Sequence, residues 1–168
     1  MPRSSDDFNI NVFVNCPFDV EYKPLFDAII FTVQIAGFRP RCAREASDAG
    51  RVRIDKILDI ISECKYGIHD ISRTEPMPPR FNMPLELGLD LGCKKFGRGR
   101  QRLKRLLVLD RTPHRYVKFI SDIRCQDIEP HYGRPKQAIR RVRDWLSLES
   151  GSATIPGGSY IYSKYRSF

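Results

Sequence analysis

The chain has 168 residues, of which 41% are hydrophobic and 29% are charged, and its formal net charge is +9. This length fits one domain with a substantial core, and both fractions are ordinary for a globular protein. The positive charge permits phosphates, nucleotides, nucleic acid or an acidic protein as partners, and it does not select among them.

The cysteines and histidines argue against two classes of site. The five cysteines are scattered and never form a C-x-x-C pair, which favours reduced thiols in the cytoplasm over a disulfide framework or a zinc site. The three histidines are equally dispersed, so we expect no metal and no bound cofactor. No signal peptide and no apolar run long enough to span a bilayer is visible, so we expect no membrane partner.

Strand-like and helix-like segments alternate along the chain. Short β-rich runs predict strands over residues 9–15, 38–43, 66–71, 106–109 and 126–129. Apolar spacing predicts helices over residues 24–36, 51–64, 116–123 and 135–148, and another that begins at Asn82. The polar residues 1–7 are predicted to be loose. We expect one α/β domain over residues 8–148, followed by a Gly, Ser and Tyr rich tail over 149–168, a candidate oligomer contact.

This alternation predicts a flavodoxin-like three-layer fold. Its central sheet is expected to hold about five parallel strands in the order 2-1-3-4-5, covered by helices on both faces. Ligands of such sheets bind beyond the carboxyl ends of the strands. That edge, the carboxyl rim, gathers residues 15–19, 42–45, 70–73 and 82–86.

The segment from Asn82 to Gly92 has the start signals of a helix. Asn82 is predicted to cap it, and Pro84 is tolerated in a first turn. Leu85 and Leu89 have the spacing of a core-facing stripe. Gly88 and Gly92 repeat that spacing, and because glycine costs about 1 kcal/mol inside a helix, their presence predicts a close approach.

Two carboxylates are the candidate catalytic groups. Glu86 is predicted to lie in the first turn of this helix, where the helix dipole favours its ionised form. Asp70 ends the third strand at the same rim and would serve as a proton donor only if its pKa were raised. Alternatively, Glu86 only complements the dipole and Asp70 only caps a turn. The candidate substrate-binding residues at the rim are Asn15, Cys16, Phe18, Asp19, Arg44, Ser72, Arg73 and Asn82.

Three stretches carry a resemblance to known families. The run Val12-Phe13-Val14-Asn15-Cys16-Pro17-Phe18-Asp19 resembles the first strand and loop of nucleoside 2-deoxyribosyltransferases and TIR-like domains. The run His69-Asp70-Ile71-Ser72 resembles their third strand. The run Pro84-Leu85-Glu86-Leu87-Gly88 resembles the helix that bears their catalytic glutamate, and the order and spacing fit from about Asn9 to Leu146.

This resemblance implies cleavage of an N-glycosidic bond with Glu86 at the anomeric carbon. For a TIR-like domain the substrate would be NAD, commonly in bacterial anti-phage defence, with no separate cofactor. The alternatives are a nucleoside deoxyribosyltransferase or hydrolase, and a non-catalytic module that senses a nucleotide or assembles with partners. Nicotinamide leaves NAD as a neutral molecule and needs no proton. A site with one strong carboxylate candidate, Glu86, therefore favours NAD over a nucleoside as the substrate. A TIR-like enzyme would also be expected to form a homo-oligomer, through the Gly88 and Gly92 face or the tail.

One basic stretch fits neither family. Residues 94–105 hold seven lysines and arginines, with two glycines between them. The stretch could bind a pyrophosphate, nucleic acid or an acidic partner, or be a solvated loop. A third hypothesis is therefore a nucleic-acid-binding protein, although no aromatic residues are interleaved among these basic residues in the way that base-stacking sites use.

Overall fold

A five-stranded parallel sheet forms the centre of the protein in the computed structural model, which describes residues 5–45, 52–74, 79–124, 126 and 128–167. The strands are β1 (Asn11–Asn15), β2 (Arg39–Arg41), β3 (Tyr66–Asp70), β4 (Arg105–Asp110) and β5 (Ile128–Pro130). Every neighbouring pair is parallel, and the order is β2-β1-β3-β4-β5. The predicted flavodoxin-like α/β fold is confirmed.

Helices cover both faces of this sheet, and successive strand residues alternate between them. On one face, α2 (Lys23–Ile35) and α5 (Pro135–Ser150) pack against Val12, Val14 and other residues of the strands. On the other face, α3 (Arg53–Ser62) packs around Phe13, and α4 (Asn82–Phe96) contacts Ile71 and Val108. The short strand β2, which holds Pro40, lies at the sheet edge, where proline is tolerated.

Both ends of the described chain are more ordered than the sequence pattern predicts. A short helix, α1 (Ser5–Ile10), precedes β1, and its Phe8 is buried. The tail forms α6 (Gly158–Arg166), which packs on α2 and α5 through Ile161, Ala28 and Ile139. The Tyr165 hydroxyl donates to the Pro24 carbonyl at 2.9 Å. The tail therefore docks on its own domain, and an oligomer contact there stays a prediction.

The basic stretch is divided among three elements. Lys94 and Lys95 belong to the end of α4, a short 3-10 helix covers Gly99–Leu103, and Arg105 begins β4. Lys104 is fully buried, so it cannot be part of a solvated basic loop. The predicted helix over residues 116–123 is replaced by two 3-10 turns, Arg115–Lys118 and Ser121–Ile123.

The two glycines of α4 have no close neighbour among the described residues. A Cβ at Gly88 or Gly92 would meet none of their atoms within 4 Å, so the expected close approach does not occur in this part of the chain. A homo-oligomer contact through this face stays a prediction.

Among the described residues, every helix is too short or too polar to cross a membrane.

Candidate functional site

Helix α4 turns the two carboxylates Glu86 and Asp90 toward the sheet, and Leu85 points away from it. Its buried residues are Met83, Glu86, Leu87 and Asp90, which follow the spacing of one helical face. Leu85 is 58% exposed, so the predicted core-facing stripe of Leu85 and Leu89 was wrong, and Leu89 is only partly buried. The helix is rotated in this way because polar contacts, described next, hold its inner face.

The first of these contacts joins the end of β1 to the first turn of α4. The Asn15 side-chain amide donates to the Met83 carbonyl at 2.9 Å and lies 3.0 Å from His69 Nδ1. Since that nitrogen accepts the amide hydrogen, the ring proton of His69 is on Nε2. His69 Nε2 in turn faces Asp90 Oδ2 at 3.1 Å.

The second contact holds Asp90 in the middle of α4. Lys104 Nζ lies 3.1 Å from Asp90 Oδ1, and both side chains are fully buried. Lys104 also donates to the backbone carbonyls of Ile61, at 2.7 Å, and Cys64. A buried carboxylate is tolerated only when it is paired in this way. We call Asn15, His69, Asp90 and Lys104 the buried polar cluster.

Gly67 makes room for this cluster. A Cβ at Gly67 would lie 2.6 Å from Asp90 Oδ2 and 2.9 Å from His69 Nε2, closer than real Cβ atoms approach. The small residue in β3 therefore lets Asp90 and His69 meet against the sheet backbone.

Glu86 lies on the same face of α4 between Met83 and Asp90, yet its carboxyl group is unpaired. The residue is 4% exposed, and no described residue forms a hydrogen bond or an ion pair with its side chain. Burial raises the pKa of Glu86 to about 7, and the positive charge of Arg53 at the start of α3 opposes this only in part. At neutral pH the protonated and ionised forms are therefore both populated.

The position of Glu86 in the helix also differs from the sequence prediction. Helix α4 begins at Asn82, which is exposed and not a cap, because the flanking Phe81 occupies the cap position with helical backbone angles. Glu86 is consequently in the second turn, beyond the residues whose charge the helix dipole favours most. Its surroundings, and not the helix terminus, decide its ionisation.

Asp70 is held in a different state. Its carboxylate accepts hydrogen bonds from the Tyr22 hydroxyl at 2.5 Å and the Ser72 backbone N–H at 2.8 Å, and His131 Nε2 lies 3.0 Å away. Burial pushes the pKa of Asp70 upward, but His131 and these hydrogen bonds outweigh it and hold the pKa below its usual value. The raised pKa on which a proton-donor role depends is absent, so that role gains no support here, and a catalytic role for Asp70 stays a prediction. The contacts of Asp70 join β3 to Tyr22, directly before α2, and to His131, directly after β5.

The polar residues at the outer part of the rim are engaged with one another. The Arg73 guanidinium donates to Asp19 Oδ1 at 2.6 Å and to Glu21 Oε2 at 2.9 Å. Burial pushes the pKa of Asp19 upward, but the hydrogen bonds from Arg73 and the Tyr22 backbone outweigh it and lower the pKa. Arg73 is therefore already neutralised by two carboxylates, which weakens the case for a phosphate contact there.

The remaining predicted site residues lie at the same rim but differ in character. Arg44 stacks over Phe18, with its guanidinium carbon 5.4 Å from the ring centroid. Cys16 is buried, and burial raises its thiol pKa, assisted by the negative charges of Asp70, Cys42 and Glu86. That thiol is therefore a poor nucleophile.

Several residues of this site escaped the sequence analysis. The histidine spacing bears only on metal binding, yet His131 directly follows β5, and the rule about carboxyl ends of strands applies to it. Tyr22, Asp90 and Lys104 carry no local signal, because their roles depend on partners far along the chain. Within the described ranges, no group of three or more His, Cys, Asp or Glu side chains is arranged to hold a metal ion.

Residues 46–51 and 75–78, which follow the rim segments 42–45 and 70–73 in sequence, lie outside the described residues, so ligand binding at the rim stays a prediction. Comparison with models of protein families, with curated proteins and with solved structures found no match.

Proposed function

We propose that this protein cleaves the N-glycosidic bond of NAD, with Glu86 acting at the anomeric carbon of the ribose. The observation that carries the proposal is the contrast between two carboxylates on one helix face. Asp90 lies 3.1 Å from both His69 and Lys104, whereas Glu86 is almost as buried and has no partner in the described chain. A buried, unpaired carboxyl group is costly to stability, and such costs concentrate at functional sites.

The chemistry requires one charge at one place. When the bond between C1′ and the nicotinamide nitrogen breaks, its electron pair leaves with nicotinamide, and positive charge develops on the ribose. Ionised Glu86 would stabilise that charge or form an ester with C1′. Water would then add at C1′ and release one proton; where the ester has formed, its bond to C1′ breaks and the carboxylate of Glu86 is restored. The cationic nicotinamide ring of the bound substrate would itself favour the ionised form of Glu86.

The other residues would contribute by position. Asn15 holds the Met83 carbonyl and thereby the first turn of α4, directly before Glu86. Arg53 is the positive group whose charge reaches the carboxyl of Glu86, and it favours ionisation. In this proposal Asp70 supports the rim and transfers no proton.

The experiment incubates the protein with NAD and measures free nicotinamide by chromatography. We expect release by the wild type and almost none by Glu86→Gln. Glu149→Gln is the matched control, because Glu149 lies at the end of α5 in a surface pair with Arg105. Equal release by all three proteins, or no release by any of them, would overturn the proposal.

One observation favours a second candidate, a nucleoside hydrolase or deoxyribosyltransferase. A purine leaving a nucleoside needs a proton, and a carboxyl group whose pKa is about 7 can donate one near neutral pH. The pH dependence separates the two: cleavage that requires ionised Glu86 rises with pH through about 7, whereas cleavage that requires protonated Glu86 falls. Adenosine and deoxyadenosine, tested beside NAD over pH 5 to 9, provide that comparison.

A further inference from the structure

Two adjoining clefts lie between α5 and α6, on the sheet face that α4 does not cover. One, of about 510 Å³, is lined by Lys136, Gln137, Arg140, Asp144, Gly158 and Ser159. The other, of about 400 Å³, is lined by Lys136, Ser159, Tyr162, Ser163, Arg166 and Ser167. Because they share Lys136 and Ser159, they form one continuous depression, which we call the α5–α6 groove.

The groove is positively charged. Its lining holds three cationic side chains, those of Lys136, Arg140 and Arg166, and one acidic side chain, that of Asp144. Asp144 lies 3.7 Å from Arg140 and 3.1 Å from Arg143, so its charge is neutralised locally. Within the described part of the chain, Lys136 and Arg166 have no carboxylate at ion-pair distance, and both are exposed. Two lysine or arginine charges are therefore available to an anion.

The cations are spread along the groove and do not converge on one point. The α6 lining runs from Gly158 to Ser167, a length of about 14 Å at 1.5 Å per residue. Arg140 lies at its start, where its Cα would be 3.7 Å from a Cβ on Gly158, and Arg166 lies near its end. A single phosphate needs converging donors, whereas a strand with repeated phosphates needs donors distributed in this way.

The other lining groups suit a sugar-phosphate strand better than a lipid or a protein. Ser159 and Ser163 present hydroxyl groups of the kind that contact phosphate and sugar oxygens. The Tyr162 ring, 5.6 Å from Lys136 Nζ, belongs to the lining and offers an aromatic face for an unpaired base. The lining holds no large aliphatic side chain, so a membrane surface or an apolar helix finds no matching contact.

We propose that the α5–α6 groove binds the backbone of a single-stranded nucleic acid without sequence preference. The net charge of +9 adds long-range attraction to such a strand. This site is separate from Glu86 and does not depend on the proposed glycosidic cleavage. It also differs from the basic stretch over residues 94–105, whose Lys104 is buried.

The test measures fluorescence anisotropy of a labelled 20-nucleotide single strand, as DNA and as RNA, with the full chain at several salt concentrations. The groove variant is Lys136→Gln, Arg140→Gln and Arg166→Gln together. The matched control, Lys94→Gln, Lys95→Gln and Arg98→Gln together, removes the same charge from the end of α4 and the residues after it. Melting curves confirm that both variants fold.

We expect the wild type to bind and the groove variant to lose about tenfold or more in affinity at 0.1 M salt, while the control changes less than threefold. The slope of log affinity against log salt should fall by about 1.4 in the groove variant, since each of the two available cations, Lys136 and Arg166, contributes about 0.7 when it contacts a phosphate of a single strand. Absence of binding by the wild type, or an equal loss in both variants, would overturn the proposal. The proposal would also be overturned if a polyglutamate peptide displaced the labelled strand at the same concentration as unlabelled nucleic acid.

Discussion

The side-chain amide of Asn15 donates a hydrogen bond to the Met83 carbonyl at 2.9 Å, and this bond joins the end of the first strand to the turn that precedes Glu86. The same amide nitrogen lies 3.0 Å from His69 Nδ1. One side chain therefore sets the position of α4 against both β1 and β3. It explains why α4 presents carboxylates, and not Leu85, to the interior.

The first prediction follows from this bond. Asn15→Ala removes the donor and leaves the Met83 carbonyl and His69 Nδ1 buried without a partner, which should lower the free energy of unfolding by about 1–3 kcal/mol. Asn82→Ala is the control, because Asn82 is exposed and does not cap α4. Urea unfolding of both variants checks this. A larger loss in Asn82→Ala than in Asn15→Ala would contradict the assignment.

The second prediction compares two glycines. Gly67→Ala places a Cβ 2.6 Å from Asp90 Oδ2 and 2.8 Å from the Leu106 side chain, so the buried polar cluster must move. We expect a loss of about 1–3 kcal/mol in unfolding free energy. Gly88→Ala meets no atom within 4 Å and should stabilise the isolated domain by up to about 1 kcal/mol. Thermal melting gives both values, and a tolerated Gly67→Ala would show that the cluster is loosely packed.

The third prediction concerns the pair of Lys104 and Asp90. Lys104→Met leaves Asp90 as a buried charge that faces only His69, which should cost about 3–5 kcal/mol of stability. Adding Asp90→Asn to Lys104→Met should recover part of that loss, because the uncompensated charge is gone. Lys95→Met, at an exposed position of α4, should change stability by less than about 0.5 kcal/mol. Strictly additive effects of the two substitutions, measured by urea unfolding, would argue against direct coupling.

The fourth prediction concerns pH and Glu86. The pKa of Glu86 in the folded protein, about 7, lies above the usual value near 4.5, so folding favours the protonated form. The contribution of Glu86 to the free energy of unfolding is therefore fully present below about pH 4.5 and is lost as the pH rises through about 7. Glu86→Gln, which carries no charge, should stabilise the protein at pH 8 by at most about 3 kcal/mol and change it little at pH 5.

Melting temperatures of the wild type and Glu86→Gln at pH 5 and pH 8 measure this difference, and Glu149→Gln controls for the loss of a surface carboxylate. If Glu86→Gln stabilises the protein equally at pH 5 and pH 8, the raised pKa of Glu86 is refuted. If Glu86→Gln is more stable at pH 8 and still releases nicotinamide at the wild-type rate, the carboxyl group is buried but not catalytic.

The sequence by itself determined the sheet. Short β-rich runs alternate with helical patterns, and right-handed crossovers between parallel strands leave few orders for five strands. The edge position of β2 was equally readable, since Pro40 lacks the N–H that a central strand needs. The carboxyl rim and its members Asn15, Asp70 and Glu86 follow from the same topology.

Only the tertiary structure decided how those rim residues behave. The pair Leu85 and Leu89 and the pair Glu86 and Asp90 have the same helical spacing, so periodicity cannot tell which pair faces the sheet. Contacts from Asn15, His69 and Lys104 hold the face that carries the carboxylates against the sheet. The ionisation of Asp70 and Glu86 was likewise undetermined, because a pKa depends on neighbours that are distant in sequence. Three donors hold Asp70 ionised, and burial without a partner raises the pKa of Glu86.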